Sequence, residues 1–285
     1  GVALGVVSVM ILSIVLFMQQ DKYGAVPSKE VQLGYKQFSN YKDGKFQNIN
    51  STPMLTPNYS WAQLLKEQLF ERPQEAVPKE ALPIVKTDLQ NLSHDKDILV
   101  WFGHSSYFIQ LDQKIYLIDP VFSGNASPIP GTNKAFAGTN IYQAEDFPVI
   151  DYLLITHDHY DHLDYPTILN LREKVDKVIC GLGVGSHLKK WGYSSDKIIE
   201  FNWYENTKQT QDLAIHCEPA RHFSGRGFSR NNTLWASFVI QSQTMTRYVG
   251  GDSGYDRHFE EIGNKYPSID FAILDNGQYN AAWRA

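Results

Sequence analysis

Three histidines and three aspartates lie within nine residues of this chain, in residues 156–164, which read THDHYDHLD. The chain has nine histidines in all, so one third of them fall in this single stretch. A structural salt-bridge cluster would normally include Lys or Arg, and the stretch contains neither. Imidazole nitrogens and carboxylate oxygens are the ligands that divalent transition metals bind in proteins. The stretch therefore predicts a metal site.

The spacing H-x-H-x-D-H predicts two ions. In an extended loop, residues two apart point the same way, so His157 and His159 can bind one ion. Asp161 and His162 are adjacent and diverge, so they are better placed to begin a second site. Two ions about 3.5–4 Å apart can share a bridging hydroxide, which is a strong nucleophile at neutral pH.

His222 and Asp252 are the candidates for the remaining ligands. His222 follows the predicted strand LAIHC, and Asp252 follows the predicted strand RYVGG. Taken alone, His222 would be a surface loop residue and Asp252 a turn residue. Both fall at strand ends, where functional sites on such scaffolds gather. We therefore expect His222 to complete the first site and Asp252 to bridge the two ions.

Two further residues are expected close to the ions. His104, in WFGHSS, either lies near the site or is a hydrogen-bonded residue at a strand end. Asp119, in LIDP, is expected to orient a metal ligand through a hydrogen bond.

Four residues are candidates for contact with a substrate. Arg221 and Arg226 flank His222 and could bind a phosphate with their guanidinium groups, the alternative being a solvated loop pair. Asn276 and Tyr279, in DNGQYN, are expected at the mouth of the site.

The elements that must position these residues begin at Ile98. From there, short apolar runs recur between turn residues, and VIDYLLIT predicts a buried strand ending at Thr156. Helices are predicted over residues 165–175, 186–192 and 256–265. Many strands with interleaved helices predict an α/β (α+β) domain over residues 96–285, in which two sheets pack together with helices outside.

The N-terminal region differs from the rest. Residues 1–18 contain no charge, and about 20 apolar residues cross a bilayer as a helix. We therefore expect a transmembrane anchor over residues 1–20 and a single-pass protein of the cell membrane, on either side. A cleaved signal peptide is the rival interpretation. Residues 21–95 are expected to form a membrane-proximal linker with one short amphipathic helix at residues 61–70.

Composition excludes some partners. The formal net charge of −5 gives no overall attraction to nucleic acid. The two cysteines form no CxxC pair, which argues against a disulfide framework. A homodimer is left open.

Several segments together resemble the metallo-β-lactamase superfamily, namely HDHYDH, PARH, GGDSGY, WFGHSS and LIDPVF. Within it the chain resembles the branch of N-acyl-phosphatidylethanolamine-hydrolysing phospholipase D and its bacterial membrane-anchored relatives. The resemblance implies a four-layer αββα sandwich with two Zn²⁺ at one edge. It also implies the ligands: His157, His159 and His222 for the first zinc, Asp161 and His162 for the second, and Asp252 between them.

The sequence departs from that family in one respect. The family supplies a further histidine to the second zinc from beyond the strand that here reads IDFAIL. The last histidine of this chain is His258, in a predicted helix, where we expect it at the surface. The chain is therefore expected to be truncated, with a weakened second site.

These features predict a membrane-anchored dinuclear zinc hydrolase. The resemblance favours a phosphodiesterase that acts on a lipid or small-molecule phosphodiester, in particular N-acyl-phosphatidylethanolamine-like lipids, by phospholipase D-type cleavage. Asp161 and Asp252 would be the catalytic carboxylates. The alternatives are a lactonase like the L-ascorbate-6-phosphate lactonase branch, a di-iron oxidoreductase on the same fold, and a non-catalytic scaffold.

Overall fold

Two packed β-sheets form the centre of the computed structural model, which describes residues 2–71, 75–210 and 213–277. The first sheet has the order β3-β4-β5-β6-β7-β8 and the second β13-β12-β11-β10-β9. The strands are β1 Tyr41–Lys42, β2 Lys45–Phe46, β3 Ile98–Gly103, β4 Ser106–Leu111, β5 Lys114–Ile118, β6 Ile150–Ile155, β7 Val175–Gly181, β8 Ile198–Phe201, β9 Asn206–Thr210, β10 Leu213–Glu218, β11 Ser237–Gln241, β12 Thr246–Val249 and β13 Phe271–Ile273. The helices are α1 Val2–Met18, α2 Lys29–Tyr35, α3 Trp61–Phe70, α4 Tyr165–Leu171, α5 Gly185–Lys190 and α6 His258–Lys265.

Strand direction brings several strand ends to one edge. In the first sheet, β5 to β8 run parallel, while β3 and β4 form an antiparallel hairpin that pairs with β5. β3 therefore points the same way as β5 and β6. The second sheet is antiparallel except for the parallel pair β12 and β13.

Buried side chains on both faces of β6 explain the layers. Tyr152 and Leu154 face the core between the sheets, where Ile215 and Phe238 of the second sheet meet them. The alternate residues of β6 pack with α4 and α5 on the outer side. The outer face of the second sheet packs against α6. A strand covered on both faces needs a near-continuous apolar run, as IDYLLI has. The predicted αββα sandwich is thus confirmed.

The segment before the sandwich also contributes to the core. Tyr35, Tyr41 and Phe46 are buried there, and their rings contact one another. The backbone N–H of Phe46 donates to the carbonyl of Asn231 at 3.0 Å. Residues 35–46 are therefore attached to the second half of the domain.

The predicted transmembrane helix, and with it the single-pass location in a cell membrane, is wrong. The helix α1 has 17 residues, and none of the helices in the described ranges is both long and apolar enough to cross a bilayer. At a rise of about 1.5 Å per residue, α1 is about 26 Å long, whereas the hydrocarbon core is about 30 Å thick.

Candidate metal centre

The loop that carries HDHYDH lies between β6 and α4. β6 ends at Ile155, and the carbonyl of His159 accepts hydrogen bonds from the backbone N–H groups of His162 and Leu163. The loop is therefore extended at first and then turns into the start of α4. The ends of β3, β5, β10 and β12 meet this loop at the same edge of the sandwich.

A first cluster consists of His157, His159 and His222. The Nε2 of His157 lies 2.8 Å from the Nδ1 of His159, and the Nε2 of His222 lies 3.1 Å from that same Nδ1. Tetrahedral Zn–N bonds of about 2.0–2.1 Å place ligand atoms roughly 3.3 Å apart. The three nitrogens are close to that spacing.

A second cluster consists of His104, Asp161, His162 and Asp252. His104 Nε2 lies 3.1 Å from Asp161 Oδ2 and 3.2 Å from His162 Nε2. His162 Nε2 lies 3.1 Å from Asp252 Oδ1. One ligand atom from each residue thus falls within 4.8 Å of the others.

Asp252 lies between the two clusters. Its Oδ1 faces His162, and its Oδ2 lies 3.6 Å from the Nε2 of His222 in the first cluster. One carboxylate oxygen is thus directed to each cluster, which is the arrangement that a bridging ligand needs.

Asp119 fixes the orientation of His162 and provides a test of whether the residues fit a metal. The buried Asp119 carboxylate accepts hydrogen bonds from the backbone N–H and hydroxyl of Thr156, and it lies 2.8 Å from His162 Nδ1. With the imidazole proton on Nδ1, the lone pair of His162 Nε2 faces an oxygen of Asp252. Two acceptors facing each other at this distance need a positive charge between them, either a second proton on the imidazole or a metal ion. The donor set therefore fits a metal ion.

The pKa values reflect the same electrostatics. Burial lowers the pKa of His162, but the charges of Asp252 and Asp119 outweigh burial and raise it well above its usual value. Burial raises the pKa of Asp252, yet the charge of His162 and the hydrogen bond to it bring that pKa well below its usual range. Burial and the neighbouring histidines lower the pKa of His157 well below its usual value, which keeps its imidazole neutral as a ligand must be.

Asp158 holds the HDHYDH loop to a second loop, a role that the sequence did not predict. Its buried carboxylate accepts from the N–H of Gly225 at 2.6 Å and the hydroxyl of Thr233 at 2.8 Å, and lies 3.1 Å from His187 Nε2. The alternation that directs His157 and His159 to one side directs Asp158 to the other. The same alternation could therefore have predicted from the sequence that Asp158 points away from the two histidines.

The two arginines occupy different surroundings. Arg226 is buried and donates to the carbonyls of Lys22, Asp158 and Leu163, so it supports the loop from behind. Arg221 donates to the hydroxyl of Thr52 and the carbonyl of Tyr255 at the wall of the cleft.

A cleft of about 920 Å³ opens onto His222 and Asp252. Asn276 lines it, whereas Tyr279 lies outside the described residues. Its wall also includes Asn48, which the sequence analysis did not single out. Asn48 Nδ2 donates to the carbonyl of His222 at 2.8 Å, and its Oδ1 accepts from the N–H of His222 at 3.1 Å. Asn48 thereby positions a candidate ligand from a segment 174 residues away.

The expectation that His258 lies at the surface is wrong. Its side chain is 1% exposed, and its Nε2 lies 3.1 Å from the hydroxyl of Ser253. His258 and Ile262 are four residues apart and share the face of α6 that packs toward the second sheet.

Comparison with known proteins gives related sequences over most of the chain. A family model described as a beta-lactamase superfamily domain matches residues 114–285. An uncharacterized protein of Mycobacterium tuberculosis is 35% identical over 249 residues, which are 87% of this chain and 67% of that protein. The N-acyl-phosphatidylethanolamine-hydrolyzing phospholipase D 1 of Caenorhabditis elegans is 30% identical, covering 90% of this chain and 74% of that protein. Among solved structures, the metallo hydrolase Igni18 of Ignicoccus hospitalis has 24% identity and a TM-score of 0.48, covering 64% of this chain and 71% of its own.

Proposed function

Because the chain belongs to the metallo-β-lactamase superfamily, we propose that this metal-dependent hydrolase holds two zinc ions and cleaves phosphodiesters of N-acyl-phosphatidylethanolamine-like lipids in phospholipase D fashion. The observation that carries the proposal is the position of Asp252, with one carboxylate oxygen directed to each cluster. A closed site for one structural ion needs no carboxylate that is directed toward a second cluster.

Each cluster would hold one ion. His157, His159 and His222 would bind the first, Asp161 and His162 the second, and Asp252 both. When bound, two divalent ions supply Lewis acids that stabilise negative charge on a phosphoryl group and lower the pKa of a water nucleophile.

The carboxylates of the chain would orient the attacking water. Asp161 is partly exposed, and the pKa of its carboxyl lies well below its usual value because the hydrogen bond from His104 and the charge of His162 outweigh burial. Asp252 is ionised for the related reason given above. Both can therefore accept a hydrogen bond from water at neutral pH and hold one of its lone pairs toward the phosphorus.

The cleft supports a substrate larger than a simple phosphate ester. Its volume of about 920 Å³ lies in the range of sites that bury drug-sized ligands. Arg221 lies on its wall and would attract the phosphodiester anion. Met54 and the exposed ring of Tyr255 offer apolar contacts to an attached chain. The choice of an N-acyl-phosphatidylethanolamine-like lipid rests on the similarity to the phospholipase D from Caenorhabditis elegans.

Metal analysis and hydrolysis assays on the purified chain test the proposal. We expect about two zinc ions per chain, and release of phosphatidic acid from N-acyl-phosphatidylethanolamine vesicles. Asp252→Ala should lower turnover by at least about 10²-fold and release metal, because it removes the shared ligand. Asp176→Ala, at an exposed position on β7, is the matched control and should behave as the unaltered chain.

Other outcomes would replace the proposal. Iron in place of zinc would favour an oxidoreductase. Two zinc ions with turnover of lactones and none of phosphodiesters would favour a lactonase. One tightly held ion without turnover would favour a structural site.

A further inference from the structure

We propose that His104 is a direct ligand of the second ion, so that His104, Asp161, His162 and Asp252 surround it. The family resemblance assigns no such role to the histidine in WFGHSS. The inference uses the metal centre of the proposed function and is independent of the substrate.

The positions of four ligand atoms carry the inference. His104 Nε2 lies 3.1 Å from Asp161 Oδ2 and 3.2 Å from His162 Nε2, and His162 Nε2 lies 3.1 Å from Asp252 Oδ1. His162 Nε2 lies 4.0 Å from Asp161 Oδ2, and all four ligand atoms lie within 4.8 Å of one another. An ion with bonds of about 2.0–2.2 Å to nitrogen and oxygen fits among atoms spaced in this way.

A hydrogen bond alone does not account for the arrangement. If His104 Nε2 carries a proton, that proton can be directed to Asp161 or to His162. His162 Nδ1 is already engaged by Asp119, so His162 Nε2 presents a lone pair to both His104 and Asp252. Protons on both nitrogens could serve the two carboxylates, but two N–H groups would then face each other across 3.2 Å. A single cation at the centre lets all four atoms act as acceptors.

The hairpin between β3 and β4 holds His104 in position. Gly103 and His104 have φ values of 105° and 47°, and strand pairing resumes at Ser106. The carbonyl of His104 accepts hydrogen bonds from Trp101 Nε1 at 2.9 Å and from the hydroxyl of Tyr107 at 3.2 Å. The imidazole is therefore directed at the cluster by a backbone that is fixed on both sides.

The conformation of the turn decides which substitutions are suitable at position 104. A positive φ is adopted most easily by Gly and, among other residues, by Asn, Asp and His. Gly and Asn can therefore replace His104 without straining the turn.

Two variants that suit the turn test the role. His104→Gly and His104→Asn remove the imidazole and keep the positive φ, and His94→Ala, at an exposed loop position, is the control. Zinc content and zinc affinity are measured by elemental analysis and chelator competition, and the visible spectrum is recorded for the Co²⁺ form. We expect both variants to keep the first ion, to bind the second at least about 100-fold more weakly, and to show an altered Co²⁺ spectrum.

Unchanged affinity for the second ion and an unchanged Co²⁺ spectrum in both variants would overturn the inference. The unaltered chain gives a readout that does not depend on the folding of a variant. The measurement is NMR of the unaltered chain with ¹¹³Cd bound and its histidines labelled with ¹⁵N. We expect cadmium–nitrogen coupling at five imidazoles, three at the first ion and two at the second. Coupling at four imidazoles would contradict the role of His104. If the unaltered chain binds one ion only, the dinuclear centre itself fails, and the two failures are thereby distinguished.

Discussion

At the residue scale, one buried carboxylate, that of Asp119, orients the candidate ligand His162. Asp119 belongs to neither of the two clusters, yet its carboxylate accepts hydrogen bonds from Thr156 and lies 2.8 Å from the Nδ1 of His162. It thereby determines which nitrogen of His162 is free for a metal. Asp119 itself has φ 41°, a conformation that Asp tolerates better than most residues. The strand end is thus shaped to direct one carboxylate inward.

Asp119→Asn should weaken the second ion selectively. The amide has nearly the same shape, but its N–H₂ group must face either Thr156 or His162 Nδ1, both of which donate at present. We expect the affinity for the second ion to fall about 10–100-fold, with the first ion held as before, as measured by calorimetric titration. Asp176→Asn is the control. Equal weakening of both ions would show that the substitution damages the fold and would contradict this role.

At the element scale, the site forms where the ends of β6 and β12 approach each other. β6 belongs to the first sheet and β12 to the second, and the residues that follow them meet at Thr156 and Gly251. Gly251 has φ 59°, and a Cβ there would lie 2.7 Å from the Cβ of Thr156. The sheets can therefore come this close only because position 251 has no side chain.

Gly251→Ala should disturb both stability and metal binding. The added methyl group would push Thr156 away from Asp119 and impose an unfavourable φ on alanine, at a cost of about 1–3 kcal/mol in the free energy of unfolding. We expect this loss in urea unfolding, together with weaker binding of the second ion. Gly263→Ala is the control, because no atom lies within 4 Å of a Cβ there. That position is inside α6, so alanine should stabilise by up to about 1 kcal/mol. Equal stability of the two variants would contradict the argument.

Buried histidines make the stability of the whole molecule depend on pH. Burial lowers the pKa of His258 to about 4, from 6.5 in an exposed chain. Between these values the unfolded chain binds a proton that the folded chain excludes, so stability falls as pH falls from about 6.5 to about 4. Above pH 6.5 neither state is protonated, and His258 contributes no pH dependence. His187 has a pKa lowered by burial and acts in the same direction, whereas His162 acts in the opposite direction.

His258→Gln should reduce this dependence without removing it. We expect the decrease in unfolding free energy from pH 7 to pH 4.5 to be smaller by about 1–2 kcal/mol, since one of several titrating groups is lost. Urea unfolding at a series of pH values in the presence of EDTA measures it. His94→Gln, at an exposed position, should leave the dependence unchanged. Parallel curves for His258→Gln and the unaltered chain would sink the prediction.

The sequence by itself determined the candidate metal-binding loop, the strand that precedes it and the family. The spacing of His157, His159, Asp161 and His162 is local, so the alternation of an extended chain predicts which of them point together. The apolar run before Thr156 likewise predicts a strand that delivers the loop to a sheet edge. An uncharged apolar run also suggested a membrane-spanning helix, but none of the helices among the described residues is long and apolar enough to be one.

Only the tertiary structure decided which distant residues reach the loop. His104 arrives because β3 runs parallel to β6, and Asn48 because residues 35–46 pack into the core. His258 is buried because its side of α6 faces the second sheet. These placements depend on strand register and on the packing of layers, which join segments far apart in the chain. A single sequence carries no local signal of that pairing.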